Sequence, residues 1–230
     1  MEIPNRDFVL EYRIKQGKEP KAALFSTQKG GDSYFMLMAV PNTGESENDR
    51  LPKEMIFLID ISGSMKGESI IQAKKSLVTA ISELNERDHF NIIAFEQQYQ
   101  IFAVQPVKAD HANKIYAYSF INGLDAGGGT EVLPALNEGM SQANNSAAVS
   151  MIFLITDGSV GNERRIFQAI KNKLGNARLF PIGIGSAPNS FLLSKAADYG
   201  RGTFTYISSP REVEAKMMSL LKKIGSPVLT

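Results

Sequence analysis

Met55-Ile56-Phe57-Leu58-Ile59-Asp60-Ile61-Ser62-Gly63-Ser64-Met65 is the stretch whose reading decides the fold. It begins as an apolar run with no alternation, which suits a strand covered on both faces, as in a parallel sheet. It ends in an oxygen-rich turn. Asp60 stands where the strand should stop, and Ser62 and Ser64 follow at two-residue spacing. Gly63 lets the backbone turn without a Cβ clash. A carboxylate with two hydroxyls is a cluster of hard oxygens, the donor type that suits magnesium, manganese or calcium.

Two later stretches carry oxygen in the same way. Met151-Ile152-Phe153-Leu154-Ile155-Thr156-Asp157-Gly158 is a second apolar run ending in an acid, and Gly127-Gly128-Gly129-Thr130 is a glycine loop ending in a hydroxyl just before a helical pattern. Open parallel sheets bind ligands beyond the carboxyl ends of their strands, where strand order reverses. One site built from Asp60, Ser62, Ser64, Thr130 and Asp157 is therefore expected.

Outward from these runs, strands and helices alternate from Lys53 onward. Helical spacing covers Ile70 to Leu84, Ala109 to Ile121, Val132 to Ala143, Ile166 to Leu174 and Ser190 to Tyr199, with a final helix opened by Pro210 and Glu212. Strands are expected at Phe90–Phe95, Val149–Thr156, Ala177–Gly185 and Gly202–Ile207, with Tyr99–Val104 as an antiparallel partner at the sheet edge. The pattern predicts a doubly wound, Rossmann-like α/β domain over residues 51–225, with a mostly parallel sheet and helices on both faces. Residues 1–50 read differently, as a β extension and linker. Phe8–Ile14 is strand-like, and Ala22–Ser26 and Tyr34–Val40 flank a polar turn, predicting a hairpin. Residues 226–230 read as the start of a following segment.

The chain has 230 residues, a formal net charge of +1 and 43% hydrophobic residues, enough for a substantial core. Near-zero charge leaves no electrostatic footprint for nucleic acid or an anionic membrane. No apolar run approaches the length of a membrane span. There is no cysteine, so neither disulfides nor thiol chemistry contribute. Met1-Glu2-Ile3-Pro4-Asn5 does not resemble a signal peptide.

Other chemistries fit the residues less well. Asp60 and Asp157 as a glycosidase pair lack a sugar-binding aromatic cluster, and Trp is absent. A phosphotransferase of the dehalogenase type needs a second Asp where Ser62 stands. A phosphate-binding loop needs Lys where Gly129 stands. His89 and His111 are the only histidines, and neither is spaced for zinc. Asp125, just before the glycine loop, reads as turn chemistry, with contact to an outer-shell water as the alternative.

Asp-x-Ser-x-Ser, a distant Thr after glycines and Thr-Asp-Gly, in that order, resemble the metal-ion-dependent adhesion site of von Willebrand factor A domains. Pro4-Asn5-Arg6-Asp7-Phe8-Val9-Leu10, with Tyr34-Phe35 and Pro41 ahead of the metal motif, is similar to inter-alpha-trypsin inhibitor heavy chains and their bacterial relatives. In that family a "VIT" domain precedes the A domain, and residues 1–50 match the connecting segment. The resemblance implies a non-catalytic adhesion module. Ser62, Ser64 and Thr130 would coordinate Mg2+ (or Mn2+ or Ca2+) directly, and Asp60 and Asp157 directly or through water. It implies a protein partner presenting Asp or Glu, a monomeric state and an extracellular, cell-surface or periplasmic location. A metal-dependent hydrolase or phosphatase, and a module docking to its own chain's neighbouring domains, are the alternatives.

Overall fold

The computed structural model describes residues 21–40, 51–145, 147–158 and 161–225. They belong to two compact units, one holding the N-terminal hairpin and the other spanning Leu51–Ile224. The expected strand at Phe8–Ile14 and the linker over 41–50 lie outside the described residues, as do residues 226–230.

In the hairpin, β1 (Lys21–Lys29) pairs antiparallel with β2 (Asp32–Val40). Gly30 and Gly31 form the two-residue turn, both at positive φ (64° and 90°). That turn matches the natural twist of paired strands and strongly favours glycine. The strands run further than expected, right up to these glycines. Leu24, Phe35 and Leu37 share one face and Phe25, Tyr34 and Met36 the other, and all six are more than half exposed.

The larger unit is the expected doubly wound sheet. Its strands are β3 (Lys53–Asp60), β4 (His89–Phe95), β5 (Tyr99–Ile101), β6 (Val107–Lys108), β7 (Val149–Thr156), β8 (Arg178–Ile184) and β9 (Thr205–Ile207). Its helices are α1 (Glu68–Ser82), α2 (His111–Asn122), α3 (Val132–Gln142), α4 (Glu163–Lys173), α5 (Ser190–Tyr199) and α6 (Val213–Gly225). The strand order is β5-β4-β3-β7-β8-β9, with the short β6 also paired to β4. The ladders joining β4, β3, β7, β8 and β9 are parallel, and β5 and β6 are antiparallel to β4. The chain starts in the middle at β3, winds outward through β4, and re-enters on the other side at β7. Order therefore reverses between β3 and β7, and their carboxyl ends, Asp60 and Thr156, flank the crevice where such sheets bind ligands.

Alternation along the unbroken apolar strands fills two layers. Met55, Phe57 and Ile59 pack with Leu77 and Ile81 of α1, Ile121 of α2 and Met217 and Leu220 of α6. Ile56 and Leu58 pack with Leu136 of α3, Ile166 and Ile170 of α4 and Leu192 of α5. Phe57, Phe153 and Phe180 stack across three adjacent strands, with centroids 5.1 and 5.4 Å apart. On the other face a Cβ at Gly139 would lie 2.9 Å from Leu58 Cδ2, so glycine lets α3 sit directly on β3.

Several expectations shift. The edge ladder stops at Ile101, short of Val104, because the buried Asn91 side chain takes over the pairing. Its Nδ2 donates to the Ala103 carbonyl (2.6 Å) and its Oδ1 accepts from Ala103 N (3.1 Å). A side chain thus replaces the backbone of the neighbouring strand. The last helix begins at Val213 rather than at Pro210, and β6 has too few residues to show a period.

Phe153→Ala opens a void between two stacked rings in the middle of the sheet. A loss of about 3–5 kcal/mol in urea unfolding is expected. A loss below about 1 kcal/mol would show that this stack does not organise the core.

Candidate metal centre

Asp60 is completely buried at the end of β3, and both of its oxygens are occupied. Oδ1 accepts from Ser62 N at 2.9 Å. Oδ2 accepts from the Thr156 hydroxyl at 2.6 Å, across the reversal point from β7. Thr156 Oγ1 in turn accepts from Gly158 N at 2.9 Å, which curls the chain directly after Asp157. The Ser62 and Ser64 hydroxyls lie 3.1 Å apart, Ser62 directly before and Ser64 within a single turn of 3-10 helix spanning Gly63–Met65. Burial pushes the Asp60 carboxyl above its ordinary value. Hydrogen bonds from Ser62 and Thr156 pull the other way, and the charge of Asp157 adds a smaller upward push.

The glycine loop is a strap. Gly127 N donates to the Ile61 carbonyl (2.8 Å) and Gly63 N to the Gly128 carbonyl (3.1 Å). Gly128 has φ +73°, and a Cβ there would overlap the Glu96 carboxylate. Glu131 N donates to the Glu96 carbonyl at 2.6 Å, fixing the chain just past Thr130. The third loop is held at Asp157, whose carbonyl accepts from Asn189 N at 3.2 Å.

The structure thus joins Asp60, Ser62 and Ser64 by direct contacts and sets Asp157 close enough for its charge to act on Asp60. It brings the loop bearing Thr130 to the same turn, with Thr130 half-buried on the wall of an adjoining cavity. Asp125 is exposed. Both histidines stand at the far end of β4. His89 opens that strand opposite Lys108, and His111 begins the helix three residues later. Thr156 was not expected at the site. Its signal is a hydroxyl on the last residue of a buried strand, one position before the acid. Glu96, directly after the buried β4, is a second such signal.

Among the described residues no three carboxylate, histidine or cysteine side chains gather as a metal cage. The donor set is two carboxylates plus hydroxyls, which suits a hard cation that keeps its waters. The residues fit such an ion on charge as well. A carboxylate withdrawn from water beside a second one is costly, and a divalent cation among these oxygens would offset that cost.

The chain matches the von Willebrand factor type A domain over residues 53–206. It belongs to that family. A von Willebrand factor A domain-containing protein of Dictyostelium discoideum is 31% identical over 232 residues, 98% of this chain and 25% of that protein. Human inter-alpha-trypsin inhibitor heavy chain H4 is 30% identical over 195 residues, 78% of this chain and 21% of that protein. The chain thus spans a quarter or less of these two relatives. Among solved structures, a von Willebrand factor type A protein from Catenulispora acidiphila superposes with TM-score 0.73 at 22% identity. It covers 88% of this chain and 49% of that one. Proximal thread matrix protein 1 of the mussel byssus, solved with zinc in its metal-ion-dependent adhesion motif, has TM-score 0.59 at 16% identity. It covers 74% of this chain and 47% of that one. A-type domains form a family of protein-interaction modules, and the expected likeness to inter-alpha-trypsin inhibitor heavy chains is met by the human relative.

The direction of the Asp60 shift sets a pH dependence. A carboxyl whose folded value lies above its ordinary 3.8 favours the fold when protonated. That contribution is complete below the ordinary value and is lost as pH rises through the folded one. At neutral pH the Asp60 charge therefore weakens the metal-free domain. In EDTA, Asp60→Asn is expected to melt higher than the parent at pH 7, with the gap narrowing as pH falls toward 4. A parent that melts higher at pH 7, or a gap independent of pH, would contradict this.

Proposed function

We propose that the chain is a divalent-cation-dependent protein-binding module in which the cation captures an acidic side chain of a partner protein. The observation that carries this reading is the buried Asp60 carboxylate, set at the strand-order reversal with hydroxyls and a second acid around it. Ser62, Ser64 and Thr130 would hold the ion directly, and Asp60 and Asp157 directly or through water. Mg2+ is the expected ion, with Mn2+ or Ca2+ as substitutes. Zinc in the corresponding motif of the mussel protein supports a cation at this place. When bound, the ion supplies an electrophilic position that a carboxylate can fill.

The residues themselves position and balance. Thr156 and Ser62 N hold the Asp60 carboxylate in one orientation. The strap at Gly127 and Gly128 fixes the hydroxyl loop relative to the Thr130 loop before any ligand arrives. Two carboxylates about match a divalent charge and the hydroxyls add none, so a carboxylate from outside remains attractive. The reading is binding rather than turnover, supported by this balance and by a family of protein-interaction modules. The reading takes the module as monomeric and presented outside the cell, at its surface or in a periplasm. No helix among the described residues is long and apolar enough to cross a membrane. Residues 51–225 would be the A-type domain and 1–50 the segment leading into it.

Calorimetric titration with manganese tests the site. Asp60→Ala and Asp157→Ala are each expected to abolish binding while the fold persists. In the parent, ion at a hundred times its Kd should add about 2.7 kcal/mol of stability. Unchanged affinity in either variant would remove that residue from the site. With an identified partner, EDTA should release it and Thr130→Ala should weaken it. Partner binding indifferent to both would place recognition on another surface.

A further inference from the structure

Thr156 is the last residue of β7, is buried, and stands between the two acids of the proposed metal centre. A threonine hydroxyl has one proton to give and lone pairs to accept with. The Gly158 N–H can only donate, so at 2.9 Å it occupies a lone pair of Thr156 Oγ1. The single hydroxyl proton is left for Asp60 Oδ2 at 2.6 Å, within the short range of a hydroxyl on a charged oxygen. Asp157 lies inside the loop that the Gly158 bond closes. Its carbonyl is held from the far side by Asn189 N at 3.2 Å, and a Cβ added to Gly158 would come within 2.9 Å of that same nitrogen. One atom, Thr156 Oγ1, therefore ties the orientation of the Asp60 carboxylate to the course of the backbone at Asp157.

We propose that Thr156 is a positioning residue that makes the centre rigid and thereby gives it a preference for Mg2+ over Ca2+. This rests on the metal reading above and adds which ion the centre selects and what selects it. Magnesium demands near-ideal six-fold geometry with short bonds and keeps several waters, whereas calcium takes six to eight oxygens at longer distances in flexible arrangements. A donor set that cannot spread penalises the larger ion. Among the described residues no third acid or histidine joins Asp60 and Asp157 to supply the further ligands calcium takes. Without the Thr156 hydroxyl, the Asp60 carboxylate is free to turn and the loop at Asp157 to relax. Calcium tolerates such changes, and magnesium does not.

The test uses the full chain and calorimetric competition of Mg2+ and of Ca2+ against Mn2+. The parent should hold Mg2+ more tightly than Ca2+. Thr156→Val keeps the branched shape of the side chain and removes its hydroxyl. It is expected to lose about 10–100-fold in Mg2+ affinity, the scale for removing a group that orients a metal ligand, and much less in Ca2+ affinity. Thr156→Ser, which keeps the hydroxyl on a smaller side chain, should retain the parent's preference. Should the valine variant melt early in EDTA, Thr156→Ala carries the same comparison. A parent that binds Ca2+ as tightly as Mg2+, a valine variant that loses nothing or loses equally for both ions, or a serine variant that behaves like the valine one overturns the role of Thr156 and leaves the metal centre standing. Absence of Mn2+ binding by the parent overturns the metal reading and this inference with it.

Discussion

The Asp60 carboxylate is taken wholly out of water, and the geometry of the site follows from how its two oxygens are held. One is tied to its own turn through Ser62 N and the other to the neighbouring strand through the Thr156 hydroxyl. Because Thr156 also accepts from Gly158 N, the carboxylate sets the course of the chain on both sides of the crevice. Hydrogen bonds to a charged acceptor are worth more than neutral ones, yet they do not remove the cost of burying the charge here. The carboxyl stays displaced upward, and the nearby Asp157 carries the same sign. A negative centre held this firmly is a poor choice for stability alone, and functional sites commonly carry such a cost.

The rest of the domain can carry that cost because the strands beneath it are fixed from both faces. Alternate residues of β3 go into two separate apolar layers, so neither a slip nor a tilt of the strand is free. The ladder pattern continues past the strand end, with Ile61 N donating to the Phe95 carbonyl at 2.9 Å, and the glycine strap begins at the carbonyl of that same residue. The turn bearing the hydroxyls is thus clamped by β4 on one side and by the Gly127–Gly128 backbone on the other. Gly63 is required for close approach rather than for an unusual φ, since a Cβ there would press to 3.1 Å against the Gly128 carbonyl.

The sheet was legible because buried parallel strands advertise themselves as unbroken apolar runs, and β3 and β7 both carry one. Asp60, Ser62, Ser64 and Asp157 were legible as oxygen placed directly after such runs. Thr156 was missed because a β-branched residue at a strand end has an ordinary packing explanation, and its role appears only when the 2.6 Å contact to a residue 96 positions away is seen. The early end of β5 was illegible for a similar reason. Asn91 sits inside an apolar strand, and nothing local says that its amide will substitute for a neighbouring backbone. The cavity beside Thr130 depends on how α3 and α4 pack, a relation that no periodicity within either helix encodes.

Under the proposed function, the mixture of donors at the crevice is itself a device for recognition. Had Ser62 or Ser64 been acidic, three carboxylates would over-neutralise a divalent ion, which would then be held tightly with little attraction left for an outside acid. With hydroxyls there, the protein supplies about two negative charges and neutral lone pairs. The remaining pull on a carboxylate is the difference between its own charge and the dipole of the water it replaces. That difference favours acidic ligands in general and discriminates poorly among them. A site that must choose between partners therefore needs a second contact outside the coordination sphere.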